Sequence, residues 1–177
     1  FSGLKSMGAG VAKGLAAVGG AAAGIATAFL STAGATKEYR TNMGKIEAGF
    51  KTAGLSAEQA KNTYRELYKV VGDVDRATEA TSMIGQLADS QDDLNKLVNI
   101  STGVWATFGA GLPIEGLMEA AMESAKSGKS VGLLSDALNW AGVNEYAFKA
   151  ALDSCTTEQE RQALIIETLN GLYGEAS

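Results

Sequence analysis

Apolar positions at the start of the chain recur in alternating steps of four and three. From Leu4 they fall at Gly8, Val11, Leu15, Val18, Ala22, Ile25, Phe29, Thr32, Thr36, Tyr39, Met43, Ile46 and Phe50. All but Gly8, Thr32 and Thr36 are apolar, and the phase holds over nearly seven heptads. Sustained a/d periodicity of that length is the pattern of a coiled coil. The run passes from a Gly/Ala-rich part into a charged part (Lys37, Glu38, Arg40, Lys45, Glu47) without losing register. The spacing therefore predicts one nearly continuous helix over residues 4–50, with the seam Leu4, Val11, Leu15, Val18, Ala22, Ile25, Phe29, Tyr39, Met43, Ile46 and Phe50 facing the axis of a parallel oligomer. Its mixed β-branched and aromatic occupancy points to three copies rather than a tight dimer.

Residues flanking the seam are mostly small: Ala12, Gly14, Gly19, Ala21, Ala26, Ala28, Ala33 and Ala35. They let helix backbones approach closely. They also leave a lone helix weak, because each interior glycine costs about 1 kcal/mol against alanine. Residues 14–36 carry no charge, between Lys13 and Lys37. That length can span a bilayer. Its strong apolar residues are few, however: Leu15, Val18, Ile25, Phe29 and Leu30. At about −0.3 to −0.6 kcal/mol each they supply only about −2 kcal/mol toward insertion. A signal peptide ending near Ala33-Gly34-Ala35 and a flexible low-complexity linker are the other readings of this stretch.

Beyond Gly54 the punctuation is that of a helical bundle. Ser56 with Gln59 forms a capping box that opens a helix running to Val71, and Gly72 stops it. The apolar face of this helix is Ala60, Tyr64, Leu67, Tyr68 and Val71. A second helix starts at Asp73 or Asp75 and ends near Ala88. Ser90 with Asp93 caps a third, with the face Leu94, Leu97, Val98, Trp105 and Phe108. Pro113 suits the first turn of the next helix, which ends at Gly128. Short helices follow over 132–140 and 144–153. Thr156 with Gln159 is read as the cap of the last, which carries Leu164, Ile165, Leu169 and Leu172. No run alternates like a strand. The expected architecture is all-α: a long coiled-coil-like helix over 1–54, then a small helical domain over 55–177. Trp105, Phe108, Trp140, Tyr146 and Phe148 are expected at the centre of its core.

Composition narrows the chemistry. Fifteen Lys and Arg against twenty Asp and Glu give a net charge of −5, opposite to the basic balance of a nucleic-acid binder. The chain has no histidine and one cysteine, Cys155. Histidine-based acid–base chemistry, Ser-His or Cys-His pairs, the usual zinc sites and a disulfide framework are thereby excluded. The chain begins with Phe1, which is read as the interior of a longer polypeptide.

Local motifs are weak. Ser127-Gly128-Lys129-Ser130 resembles the end of a phosphate-binding loop, but Glu123 stands where that loop needs glycine, and a helix precedes it rather than a strand. Gly8 to Gly14 only approximates a dinucleotide fingerprint. Glu115, Glu119 and Glu123 line one helix face, and three carboxylates there suit a solvated surface better than a cation site. Cys155 has no histidine to activate it and reads as an inert thiol. No catalytic, cofactor-binding or metal residue is expected, and the chain is not expected to be an enzyme.

Several stretches together carry a family resemblance. They are the Gly/Ala-rich run leading into TKEYRTNMGKIEAGF, then GLSAEQAKNTYRELYKVVGDVDRATEA, and finally residues 112–177, which include ALNWAGV and TTEQERQALI. The chain resembles the N-terminal region of phage tail tape measure proteins, especially those of phages and prophages of Gram-positive bacteria. The resemblance covers most of the chain and rests on overall pattern rather than on catalytic residues. It implies a long helical structural virion protein, present in a few copies, that fills the lumen of the tail tube. Such a protein sets tail length during assembly in the host cytoplasm. The implied partners are further copies of itself, the tail tube and other tail proteins, with host membrane contact at infection. The competing expectation is a membrane-active or pore-forming protein that inserts residues 14–36.

Overall fold

The computed structural model describes residues 37–174. Within them the chain is all-α, with no strand. The helices are α1 (Lys37–Thr52), α2 (Ala57–Val71), α3 (Val74–Leu87), α4 (Gln91–Phe108), α5 (Ile114–Ser127), α6 (Gly132–Trp140), α7 (Glu145–Ser154) and α8 (Glu158–Tyr173). A 3₁₀ turn over Gly109–Gly111 joins α4 to α5.

The helix ends follow local chemistry. Ser56 Oγ accepts from the Gln59 amide (3.2 Å), and Gln59 Oε1 accepts in return from the Ser56 amide (2.5 Å), which closes the expected capping box. Asp73 and Ser90 cap α3 and α4 by accepting from the Arg76 and Asp93 amides, at 2.9 and 3.1 Å, without the return bond. Gly72 and Gly128 stop α2 and α5 in the left-handed region, at φ 68° and 70°, where a side chain is strained. Pro113 occupies the N-cap of α5, one residue earlier than expected.

The cap of α8 differs from the sequence reading by one residue. Thr157, not Thr156, is the N-cap, and its partner is Glu160 rather than Gln159. Both pairs satisfy the motif. Only the carboxylate of Glu160 also accepts from the Thr156 amide (2.5 Å), the Thr156 hydroxyl (2.9 Å) and the Thr157 amide (3.2 Å). An anionic acceptor at a helix N-terminus outcompetes a neutral amide.

α1, α2 and α3 pack on one another in a three-helix unit. α4 lies against α2 and α3 and carries the core on to α8; α5 packs on α3, α6 and α8, while α7 packs on α8 and borders α6. One continuous apolar core results, from Met43 through Tyr64, Ile84, Leu97, Ile100 and Leu117 to Leu169 and Tyr173.

Two close approaches set the geometry. A Cβ on Gly85 would stand 2.4 Å from the Phe50 ring, and one on Gly103 would stand 1.9 Å from the Tyr173 carbonyl oxygen. α3 therefore reaches α1, and α4 reaches α8, only because these positions lack a side chain.

The residues expected at the aromatic centre divide. Phe148 is buried, Trp105 and Phe108 are partly buried, and Trp140 and Tyr146 are 56% and 86% exposed. Trp140 is the last residue of a two-turn helix whose inward face is already filled by Leu134, Ala137 and Leu138. The large buried side chains are instead Tyr64, Tyr173 and Phe50.

Candidate interaction surfaces

The self-association seam meets the structure over its last four positions. Met43, Ile46 and Phe50 are buried at 4%, 1% and 0% exposure, and Tyr39 packs edge-on to Tyr64, ring centroids 5.9 Å apart. These side chains pack against α2 and α3 of their own chain. Residues 37–52, assigned from the heptads to the N-terminal rod, belong to the bundle core. The helix expected to start at residue 4 is described from Lys37 onward. Leu4, Val11, Leu15, Val18, Ala22, Ile25 and Phe29 lie outside the described residues, as does the segment 14–36.

Around Tyr39 the tyrosines cluster: Tyr64 also stacks on Tyr68, at 6.1 Å. Burial first, and then the neighbouring Tyr39 and Tyr68, push the Tyr64 phenol up to about 12. At the far end of the core Tyr173 is pushed up to about 12 by burial. Its hydroxyl donates to the Ala137 carbonyl at 2.6 Å, which ties the end of α8 to α6.

Between α2 and α4 runs an open groove of about 410 Å³ with a polar wall of Gln59, Asn62, Gln91, Asn95 and Asn99. Gln59 Nε2 donates to Gln91 Oε1, and Gln91 Nε2 to Asn95 Oδ1 at 2.8 Å. Thr63, Glu66, Leu94 and Val98 complete the lining. Neutral amides that bond to each other can hold an uncharged polar chain by hydrogen bonds, and the carboxylate beside them, Glu66, is paired with Lys69 at 2.8 Å. The sequence signal was present: Gln91, Asn95 and Asn99 recur every four residues on α4, facing Gln59, Asn62 and Glu66 on α2. The α4 row carries no titratable or aromatic group.

The acidic row on α5 is split. Glu119 and Glu123 are exposed, whereas Glu115 Oε1 pairs with Arg76 Nε of α3 at 3.0 Å, the two side chains being 18% and 27% exposed. The Arg76 guanidinium also lies 5.1 Å over the Trp105 ring. Glu115 thus joins two helices and is not a free ligand, and no metal-binding cluster of acids and cysteine exists among the described residues.

Ser127 to Ser130 ends a helix rather than opening one: Gly128 is the left-handed stop of α5, and Ser127 Oγ accepts from the Lys129 amide at 3.3 Å. Its geometry does not cradle a phosphate. Cys155 is partly buried, and its Sγ bonds to the Ala151 carbonyl at 3.4 Å.

Two exposed aromatics remain. Trp140 tilts against Phe108 at 5.2 Å, and Phe108 in turn meets Tyr173 edge-on at 5.8 Å. Tyr146 stands on the first turn of α7. No single helix among the described residues is long and apolar enough to cross a membrane. No family model, curated protein or solved structure matches the chain.

Proposed function

We propose that the chain is part of a phage tail tape measure protein: a non-enzymatic structural component of the virion, held in the lumen of the tail tube, that sets tail length during assembly. The observation that carries this reading is the resemblance over TKEYRTNMGKIEAGF, ALNWAGV, TTEQERQALI and their flanks. The all-helical bundle is compatible with it. In this proposal the ruler lies in long helical parts of the full-length protein, and residues 37–174 form a folded head beside them. Association between copies uses the seam positions Leu4 to Phe29, because Met43, Ile46 and Phe50 are occupied within the bundle. The further partners are the tail tube and other tail proteins.

The test is a ruler experiment in assembled tails. A helix rises about 1.5 Å per residue, so removing about four heptads shortens it by about 42 Å. Whole heptads are removed so that the seam keeps its phase. The deletion belongs in the helical part of the full-length protein beyond residue 177. Tails shortened by the nearest whole number of tube rings support the proposal. Viable tails of unchanged length refute it and bring forward the membrane reading, for which vesicle flotation of the full chain, with and without Ile25→Asp, is the direct assay.

A further inference from the structure

Charge is distributed unevenly along this chain. Residues 1–72 hold nine Lys and Arg against four Glu, whereas residues 73–177 hold six against sixteen Asp and Glu. The structure turns this imbalance into two surfaces. On α1, Arg40, Lys45 and Lys51 are exposed, and none has an ion-pair partner among the described residues. No exposed residue from Arg40 to Thr52 is acidic. The carboxylate of Glu47 is drawn off to Lys61 of α2, 3.4 Å away. Between the cations lie Gly44 and Ala48, both exposed, and a Cβ on Gly44 would meet nothing within 4 Å. The outer face of α1 is therefore basic and low in relief.

The second surface is on α6 and the first turn of α7. Asp136 and Trp140 are four residues apart on α6 and both exposed. Glu145 lines a narrow cleft with Asn139, the neighbour of Trp140, and Tyr146 follows Glu145. Asp136 and Glu145 have no ion-pair partner among the described residues. Trp140 and Tyr146 are the large apolar side chains left exposed. Exposed aromatic faces flanked by carboxylates suit lysine and arginine, which pair with the acids and sit over the rings. α1 packs on α2 and α3, whereas α6 packs on α5, so the two surfaces belong to different parts of the bundle.

We propose that copies of this chain bind head to tail, the basic face of α1 on one copy docking on the Asp136, Trp140, Glu145 and Tyr146 patch of the next. A second copy is the occupant because each surface supplies what the other lacks. Two-fold pairing through α1 alone, or through the patch alone, is disfavoured, since it sets cations against cations or acids against acids; a two-fold pair that makes the unlike contact twice needs both surfaces on one side of the bundle. A contact between unlike surfaces is heterologous, so it propagates into a ring or an open chain. It is independent of the apolar seam in residues 4–29 and of the tape measure reading.

The experiment is sedimentation velocity on the 177-residue chain and two charge-reversed variants. One carries Arg40→Glu, Lys45→Glu and Lys51→Glu; the other carries Asp136→Lys and Glu145→Lys. All five positions are exposed, and thermal melts by circular dichroism confirm that each variant folds. Raising salt from about 0.01 M to about 1 M cuts the screening length from about 30 Å to about 3 Å. The expected result is concentration-dependent species larger than a dimer for the parent at low salt, lost at high salt. Each variant alone loses them, and an equimolar mixture of the two regains them, because every reversed surface then meets its complement. A parent that stays monomeric at low salt overturns the proposal, as does a mixture that stays monomeric. Association that survives both high salt and both reversals belongs to the apolar seam and also overturns it.

Discussion

Gly103 is the position where the fold is most sensitive to one methyl group. An alanine Cβ there would lie 1.9 Å from the Tyr173 carbonyl oxygen and 2.8 Å from its carbonyl carbon. Carbon and oxygen settle at about 3.3–3.6 Å, so the backbone at the end of α8 has to retreat by more than about 1 Å. Overpacking of this kind costs about 1–3 kcal/mol. The retreat also pulls the Tyr173 hydroxyl from the Ala137 carbonyl, and leaving that buried hydroxyl unpaired adds about 1–3 kcal/mol. Replacing glycine by alanine within a helix returns about 1 kcal/mol. Gly103→Ala is therefore destabilising by about 1–5 kcal/mol, with a central value of about 3 kcal/mol. With a urea m-value of about 2 kcal/mol/M, the central value lowers the unfolding midpoint by about 1.5 M. Gly44→Ala is the control: the same change in the interior of α1, with nothing within 4 Å of the new carbon, raises stability by up to about 1 kcal/mol. Equilibrium urea unfolding followed by circular dichroism measures both. A neutral or stabilising Gly103→Ala would falsify the close approach of α4 and α8.

Three further outcomes are expected. Tyr64 and Tyr173 ionise near 12 when folded and near about 10 when unfolded, so the folded state keeps two protons longer. Their stabilisation is intact below pH about 10 and is lost as pH rises toward about 12; a Tyr64→Phe, Tyr173→Phe double variant that loses stability as steeply over that window as the parent refutes this. Trp140→Ala, at 56% exposure, lowers stability by about 1 kcal/mol, mainly through its contact with Phe108, and a thermal melt showing the 3–5 kcal/mol typical of a core aromatic would return Trp140 to the interior. Thr157→Ala costs about 1 kcal/mol of helix capping and more than Thr156→Ala; the reverse order in matched urea titrations removes Thr157 from the cap of α8.

Helix boundaries were the most legible part of the fold, because caps are decided within four residues. Ser56, Gly72, Asp73, Ser90 and Gly128 each fell where local hydrogen bonding dictates. Thr156 and Thr157 were separable only by asking which acceptor is charged. What a helix face packs against is not local information. The spacing of Met43, Ile46 and Phe50 fits an oligomer seam and an intramolecular core equally well. α2 and α3 are tethered a few residues away at high effective concentration, so they take the face before another copy can. Trp140 failed as a core residue for a related reason: helical spacing says that aromatics share a face, not that another element covers it. The α2–α4 groove stayed hidden because its polar residues come from two helices and most of them are neutral amides.

The pairing of α4 with α8 also determines how the bundle takes a load. Lys96 of α4 meets Glu167 of α8, and Gly103 meets Tyr173 further on, so the two helices run parallel. The chain enters α4 at one end of this pair and leaves α8 at the other. Tension applied through residues 91 and 174 therefore slides the helices along each other and strains all their contacts together, where an antiparallel hairpin would peel open one turn at a time. Until that pair slips, the α5–α7 crossover is shielded from the pull. Between Gly103 and Tyr173 it stores about 70 residues, or roughly 240 Å of extended chain, released in a single step. Loaded across this helix pair, the bundle is a short link with a long reserve.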